Sequence, residues 1–253
     1  IGNILSSKGY NPPPIEFLKP KITKVLKVQF EVVSDKKNKF FRFIHMNYVF
    51  WKNIQNISII FIDVYSTQAF YFALYFSLLS RVFSIHYIPV IHGGQIQKRI
   101  EKYRALSDLI FKGAKINIAP SNFIYNIFIK SNYNVKLIPN AIDLSLYTFK
   151  KRKIIKPNLL WVRSFHKIYN PEMAIYVLNK LLVTYPKAKL TMVGPEKDGS
   201  QALCKNLSKT LNISEKVNFT GYLPKKKWIK LSISQDVFIN TTNIDNMPVS
   251  VLE

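Results

Sequence analysis

Cysteine is almost missing from this chain. Cys204 is the only one in 253 residues, which excludes an intrachain disulfide and any zinc site built on cysteines. A lone thiol suits a reducing compartment, so a cytoplasmic location is expected. Long apolar runs are missing too. The most apolar stretch, 69–79, is followed by Arg81 and falls well short of the roughly 20 residues a bilayer-crossing helix needs, so it reads as a buried helix. The first residues carry no signal-peptide pattern. No Asp-x-Asp occurs, and no His, Asp or Glu cluster stands at metal-ligand spacing, so no metal is expected. No Gly-x-Gly-x-x-Gly opens a helix, which argues against a dinucleotide-dependent dehydrogenase or epimerase.

Acidic residues are also scarce. Against 37 Lys and Arg stand 14 Asp and Glu, a formal net charge of +23. One reading is attraction to polyanions, whether nucleic acid, phospholipid headgroups or phosphorylated substrates. The other is a lysine-rich composition spread over solvated faces. The lysines are scattered, and the longest basic runs, 150–153 and 225–227, are short. Zinc-finger spacing, an RNA-binding aromatic signature and a dense Arg/Lys stripe are all absent, so nucleic acid is not an expected partner. Peripheral association with an anionic membrane remains an expectation. A basic nucleic-acid- or membrane-binding α/β protein without catalysis is the alternative to an enzyme, and a catalytically dead scaffold is another.

What is present is an ordinary globular balance, 48% apolar and 20% charged, in a length that suits two domains. The chain opens on Ile1 and closes on Glu253 inside an apolar helical run, so it is read as a fragment with an incomplete second domain. Short β-rich runs alternate with helical runs, the pattern of parallel βαβ units. In the first half, residues 57–63, 85–91, 115–119 and 135–138 read as strands, with helices over 67–79 and 123–130. Residues 2–22 read as a strand remnant, a Gly/Pro-rich loop and a helix start. A basic, unpatterned linker spans 147–157. The second half restarts with strands at 159–162, 189–193, 217–219 and 236–240, and helices at 171–185, 200–211, 224–232 and from 249. The expected fold is α/β: two Rossmann-like doubly wound domains, residues 1–149 and 150–253, facing each other across a cleft.

In such sheets ligands meet the loops after the strands. After 85–91 comes His92-Gly93-Gly94, where glycine lets backbone approach a ligand and histidine can donate to a phosphate or sugar oxygen. The first strand of the second half leads into W-V-R-S-F-H-K-I-Y-N-P. There Arg163 and Lys167 are cations suited to a pyrophosphate and to the charge that grows as a diphosphate leaves. The last strand leads into Thr241-Thr242-Asn243-Ile244-Asp245-Asn246-Met247-Pro248, and Glu253 stands eight positions after Asp245. That loop offers backbone N–H groups at a helix start, and its carboxylates can accept from sugar hydroxyls.

With these motifs the chain resembles the family-four glycosyltransferases, retaining enzymes of the GT-B fold. Arg163 with Lys167, Met192-Val193-Gly194, Val217-Asn218-Phe219-Thr220-Gly221 and D-N-M-P-V-S-V-L-E from Asp245 to Glu253 follow that family's order. The resemblance covers nearly all of residues 84–253. It implies hexosyl transfer from a nucleoside-diphosphate sugar to an acceptor hydroxyl with retention, without metal or cofactor. It implies that Arg163 and Lys167 bind the donor diphosphate, that Glu253 holds the ribose, and that Asp245 with the backbone of Asn246, Met247 and Pro248 contacts the sugar. His92 matches a histidine near that sugar, Gly9 a glycine that lets the phosphate approach, and Gly194 and Gly221 the glycines of the donor loops. A lipid-linked or saccharide acceptor, polysaccharide or lipopolysaccharide assembly, and a place on the cytoplasmic face of an inner membrane follow by the same analogy. The chain departs from the family where Asp245 stands for the usual Glu, and where Arg163 and Lys167 lie four rather than five positions apart.

Overall fold

The computed structural model describes Gly2 and residues 13–253. These form two compact units, Ile1–Ala141 and Ile142–Glu253, each built on a parallel four-stranded sheet. The expected strand remnant before residue 13 and Gly9 lie outside the described residues, apart from Gly2. Gly2 donates its N–H to the Val33 carbonyl (2.7 Å), and its own carbonyl accepts from the Ser34 N–H (2.8 Å).

In the first unit the order of elements is α1 (Pro14–Leu26), α2 (Lys39–Asn53), β1 (Ile59–Val64), α3 (Phe70–Val82), β2 (His86–Ile91), α4 (Ile96–Lys102), α5 (Arg104–Phe111), β3 (Asn117–Ala119), α6 (Asn122–Lys130) and β4 (Val135–Leu137). The sheet runs β1-β2-β3-β4 with every pair parallel. Local chemistry sets the ends. Asn38 caps α2 by accepting from the Phe40 and Phe41 N–H groups, and Ser121 caps α6 through the Ile124 N–H. On β1, Ile60, Ile62 and Val64 alternate into the core while Ile59 and Phe61 stay exposed. They meet Phe70, Ala73 and Phe76, which recur at helical spacing on α3. Helix α3 begins three residues later than the sequence pattern places it, because Thr67, Gln68 and Ala69 form the turn that accepts the first helical N–H groups. Helices α2, α4 and α5 carry no assignment in the sequence reading.

The second unit follows with β5 (Asn158–Val162), α7 (Pro171–Thr184), β6 (Lys189–Val193), α8 (Ser200–Thr210), β7 (Val217–Gly221), α9 (Lys225–Ser232), β8 (Val237–Phe238) and α10 (Val249–Leu252). All pairs are parallel in the order β7-β6-β5-β8. Both faces of this sheet are covered. Leu159 and Trp161 point toward Ala174, Ile175 and Leu178 of α7 and Cys204 of α8, whereas Leu160 packs on the opposite side with Val193 and Trp228 of α9. Pro171 opens α7 from Asn170, whose backbone is left-handed (φ 46°). The chain moves from β5 out to β6 and β7, then returns to lay β8 on the other side of β5. That reversal makes β5/β8 the switch point of the sheet, the position at which open parallel sheets bind their ligands. Among the described residues no helix is long and apolar enough to cross a membrane.

Candidate functional site

Because every strand of the second sheet is parallel, the loops carrying Arg163, Gly194, Gly221 and Asp245 all leave from its carboxyl edge. The loops after β5 and β8 are tied together at the switch point. Trp161 Nε1 donates to Thr241 Oγ1 (2.9 Å), Thr241 Oγ1 donates to the Tyr169 carbonyl (2.8 Å), and the Asn243 N–H donates to the Ile168 carbonyl (3.0 Å). These bonds bring two expected site residues into contact. The Arg163 guanidinium pairs with the Asp245 carboxylate, and its Cζ lies over the Tyr169 ring, 4.7 Å from the centroid. Burial pulls the Arg163 pKa below its ordinary value. Its Nε is buried with no hydrogen-bond partner among the described residues, a donor that an anionic ligand would satisfy.

Backbone packing holds the arginine in place. A Cβ on Gly194 would overlap the Arg163 carbonyl, so only glycine lets the β5 and β6 loops approach this closely. The Arg163 N–H donates to the Val193 carbonyl (3.0 Å), and the Gly194 N–H donates to the carbonyl of Gly221, itself left-handed at φ 68°. Lys167 opens a single 3-10 turn, Lys167–Tyr169, four residues beyond Arg163. Its N–H donates to Asp198 Oδ2 (2.9 Å), and its side chain is exposed. Glu253 follows α10 and pairs with Lys225 Nζ, which lies 5.7 Å above the Tyr147 ring. Burial, followed by the nearby Glu253 charge, pushes the Tyr147 hydroxyl pKa upward. Tyr147, Tyr169, Thr241 and Lys225 are site neighbours that the sequence reading did not single out. Each stands in a stretch already noted, Tyr147 in the linker, Tyr169 and Thr241 in the two loops and Lys225 in the short run 225–227, but none carried a role there.

In the first unit, His92 follows β2 and sits beside β1. Its N–H donates to the Val64 carbonyl (2.8 Å), its Nε2 is 2.9 Å from Asp63 Oδ1, and its ring stacks on Tyr65 at 5.2 Å. Burial raises the Asp63 pKa, but the His92 hydrogen bond and charge outweigh it and leave the carboxyl below its ordinary value. Gly93 is glycine because a Cβ there would sit 2.5 Å from the Ser66 backbone nitrogen. Asp63 ends the apolar run I-S-I-I-F-I-D, yet no sequence signal paired it with a residue 29 positions away.

The family model described as "Glycosyl transferases group 1" matches residues 148–253. No curated protein matches the chain. Among solved structures, the chain is similar to a lipopolysaccharide outer core galactosyltransferase, WaaB, in its apo form, at 17% identity and a TM-score of 0.57, over 87% of this chain and 60% of that one. It is similar to sucrose-phosphate synthase from Thermosynechococcus elongatus at 14% identity and a TM-score of 0.68, over 87% and 59% of the two chains. HepE of Anabaena, solved with UDP-glucose, gives 14% identity and a TM-score of 0.59, over 88% and 63%. The chain thus spans about 60% of the length of the first of these structures.

Proposed function

We propose, from a chain whose residues 148–253 match the glycosyl transferases group 1 model and whose fold is GT-B, a retaining hexosyltransferase that needs no metal. It would move a sugar from a nucleoside-diphosphate donor to a hydroxyl of a lipid-linked or saccharide acceptor, in polysaccharide or lipopolysaccharide assembly. One observation carries the reading: a half-buried guanidinium at the switch point of the second sheet, braced by Tyr169 and Asp245, with an unsatisfied Nε. Such a group offers a fixed positive charge and free donors where a diphosphate needs both.

The other residues have roles in this proposal. Lys167 supplies a second cation to the diphosphate, and Glu253 accepts from the ribose hydroxyls. Asp245 and the backbone of Asn246, Met247 and Pro248 hold the sugar. Gly194 and Gly221 let the donor loops approach, and Gly9 does the same for the phosphate in the first unit. His92 donates to the transferred sugar. Attack comes from the face the leaving diphosphate occupies, and that phosphate takes the acceptor proton. The protein contributes positioning and positive charge rather than a covalent nucleophile. Binding of UDP by HepE, stated for that protein, supports a uridine donor here. The net charge supports peripheral attachment to the cytoplasmic face of an anionic membrane.

A panel of nucleotide sugars assayed with the full protein tests the reading. The expected result is saturable transfer that survives EDTA, with the product's anomeric proton matching the donor's configuration by NMR. An inverted anomer refutes retention, loss of activity in EDTA refutes metal independence, and no transfer from any nucleotide sugar refutes the proposal.

A further inference from the structure

Helix α2 is apolar on two opposite sides. Its inner side, with Met46 and Phe50 buried, belongs to the first unit's core. The guanidinium of Arg42, also buried on that side, donates to the carbonyls of Lys36 (2.8 Å) and Lys37 (3.1 Å). At 3.6 residues per turn, Phe40, Phe41, Ile44, Tyr48 and Trp51 fall in one outward sector about 100° wide, opposite that core face. All five are between 47% and 67% exposed. A soluble helix keeps one apolar stripe, and a second stripe open to water marks an interaction surface.

The border of the stripe says what would cover it. Lys36 and Lys37 precede the helix, Lys39 begins it, and Lys52 stands beside Trp51 near its end, all exposed. Two carboxylates lie near them: Asp35, 3.2 Å from Lys36 Nζ and 3.8 Å from His45 Nδ1, and Glu31, which accepts from Asn53 Nδ2 (3.4 Å) at the helix end. A groove of about 730 Å³ lined by Lys36, Lys37, Phe41, Ile44, His45 and Tyr48 runs along this side. Protein interfaces are depleted in lysine, whereas a helix lying in a bilayer interface combines Trp, Tyr and Phe with flanking lysines. Tyr and Trp place a polar edge among headgroups and a ring among acyl chains, and each nearby lysine gains from anionic lipid.

We propose that this outer face of α2 is the membrane-docking surface of the chain, with its rings at headgroup depth and its lysines against anionic lipid phosphates. The proposal rests on the peripheral-membrane part of the function given above, not on the transfer chemistry. Vesicle binding therefore tests it without any activity assay.

Trp51 supplies the readout, since Trp161 and Trp228 are buried. The chain is mixed with vesicles of phosphatidylglycerol and phosphatidylcholine, or of phosphatidylcholine alone, and followed by co-sedimentation and tryptophan emission. The expected result is binding to the anionic vesicles, a blue shift in emission, and at least tenfold weaker partitioning to the neutral ones. The triple variant Phe41→Ser, Ile44→Ser, Tyr48→Ser keeps Trp51 and alters only exposed side chains. It should lose about tenfold or more in partitioning, with its melting temperature unchanged. Lys36→Gln, Lys37→Gln, Lys52→Gln should do the same and flatten the salt dependence. Absence of wild-type binding overturns the proposal. So do variants that bind as well as wild type, and so does a concentration-dependent dimer that the triple variant abolishes, which would assign the face to a second copy.

Discussion

The two units share one plan, a parallel sheet with polar groups on the loops at its carboxyl edge, yet they hold those groups differently. In the first, His92 is fixed by a neighbouring carboxylate, Asp63, and by an aromatic ring, Tyr65, all within or just after two adjacent strands. In the second, Arg163 lies at a topological switch, and its carboxylate partner, Asp245, comes from a loop 82 positions along the chain. The first arrangement is local to one strand pair. The second depends on the return of β8 beside β5, and hence on the whole sheet having formed. A cation placed that way is held by its carboxylate partner while its Nε stays without one, which suits a group that could meet incoming charge.

The sharpest test of this difference removes each polar group. Arg163→Ala should lower kcat/KM by about a thousandfold, on the order of 4 kcal/mol of transition-state stabilisation, with the fold intact. His92→Ala should cost less, because a hydrogen bond to the transferred sugar stabilises a departing diphosphate less than a fixed charge beside it does. Steady-state kinetics on the full protein decides it, and equal losses would break the comparison.

A second test targets the sheet rather than the cation. Leu178 is fully buried between α7 and β5, so Leu178→Ala should cost about 3 kcal/mol. Hydrogen exchange should then quicken at the amides of β5 and β6 while those of β1 and β2 keep their protection. A smaller version of the same perturbation is Gly194→Ala. The added methyl meets the Arg163 carbonyl, so the β5 loop must shift, at about 2 kcal/mol in stability and with a matching loss of donor affinity. Full donor affinity in that variant would mean that the arginine backbone position does not matter.

Much of the second unit is legible in its sequence. Strands β5, β6 and β7 end at or just before an arginine or a glycine, and β6 and α7 start where the pattern places them. The Arg163–Asp245 pair was not legible as a contact, because a period of two along a strand says which face a residue takes but not which strand lies beside it. The strand from 236 is shorter than its apolar pattern, Val237–Phe238, since β8 sits at the sheet edge and pairs only with Leu159 and Leu160 of β5. In the first unit α2 escaped assignment for a physical reason. With apolar residues on two opposite faces, K-F-F-R-F-I-H-M-N-Y-V-F-W-K-N has no single stripe for a period of 3.6 to reveal. The Asp63–His92 bond was hidden too, because adjacency of β1 and β2 sets it and neither side chain belongs to a motif with the other.

The smallest expected effect lies in that last pair, and pH gives it a sign. Asp63 is depressed in the folded chain, so its contribution is present above the unfolded carboxyl value of 3.8 and is lost as pH falls through the lower folded value. Asp63→Asn keeps the shape and removes the charge. At pH 7 the variant should be less stable than wild type by about 1 kcal/mol, a charge-assisted hydrogen bond discounted for partial exposure to solvent. As pH falls below the unfolded value of 3.8 and through the lower folded value, the two stability curves should converge, because protonated wild type no longer carries the charge the variant lacks. Thermal melts followed across that range measure it. Curves that stay parallel to low pH would show that the Asp63 charge gives the first unit nothing, and that His92 is held by its backbone bond to Val64 and its stacking on Tyr65 alone.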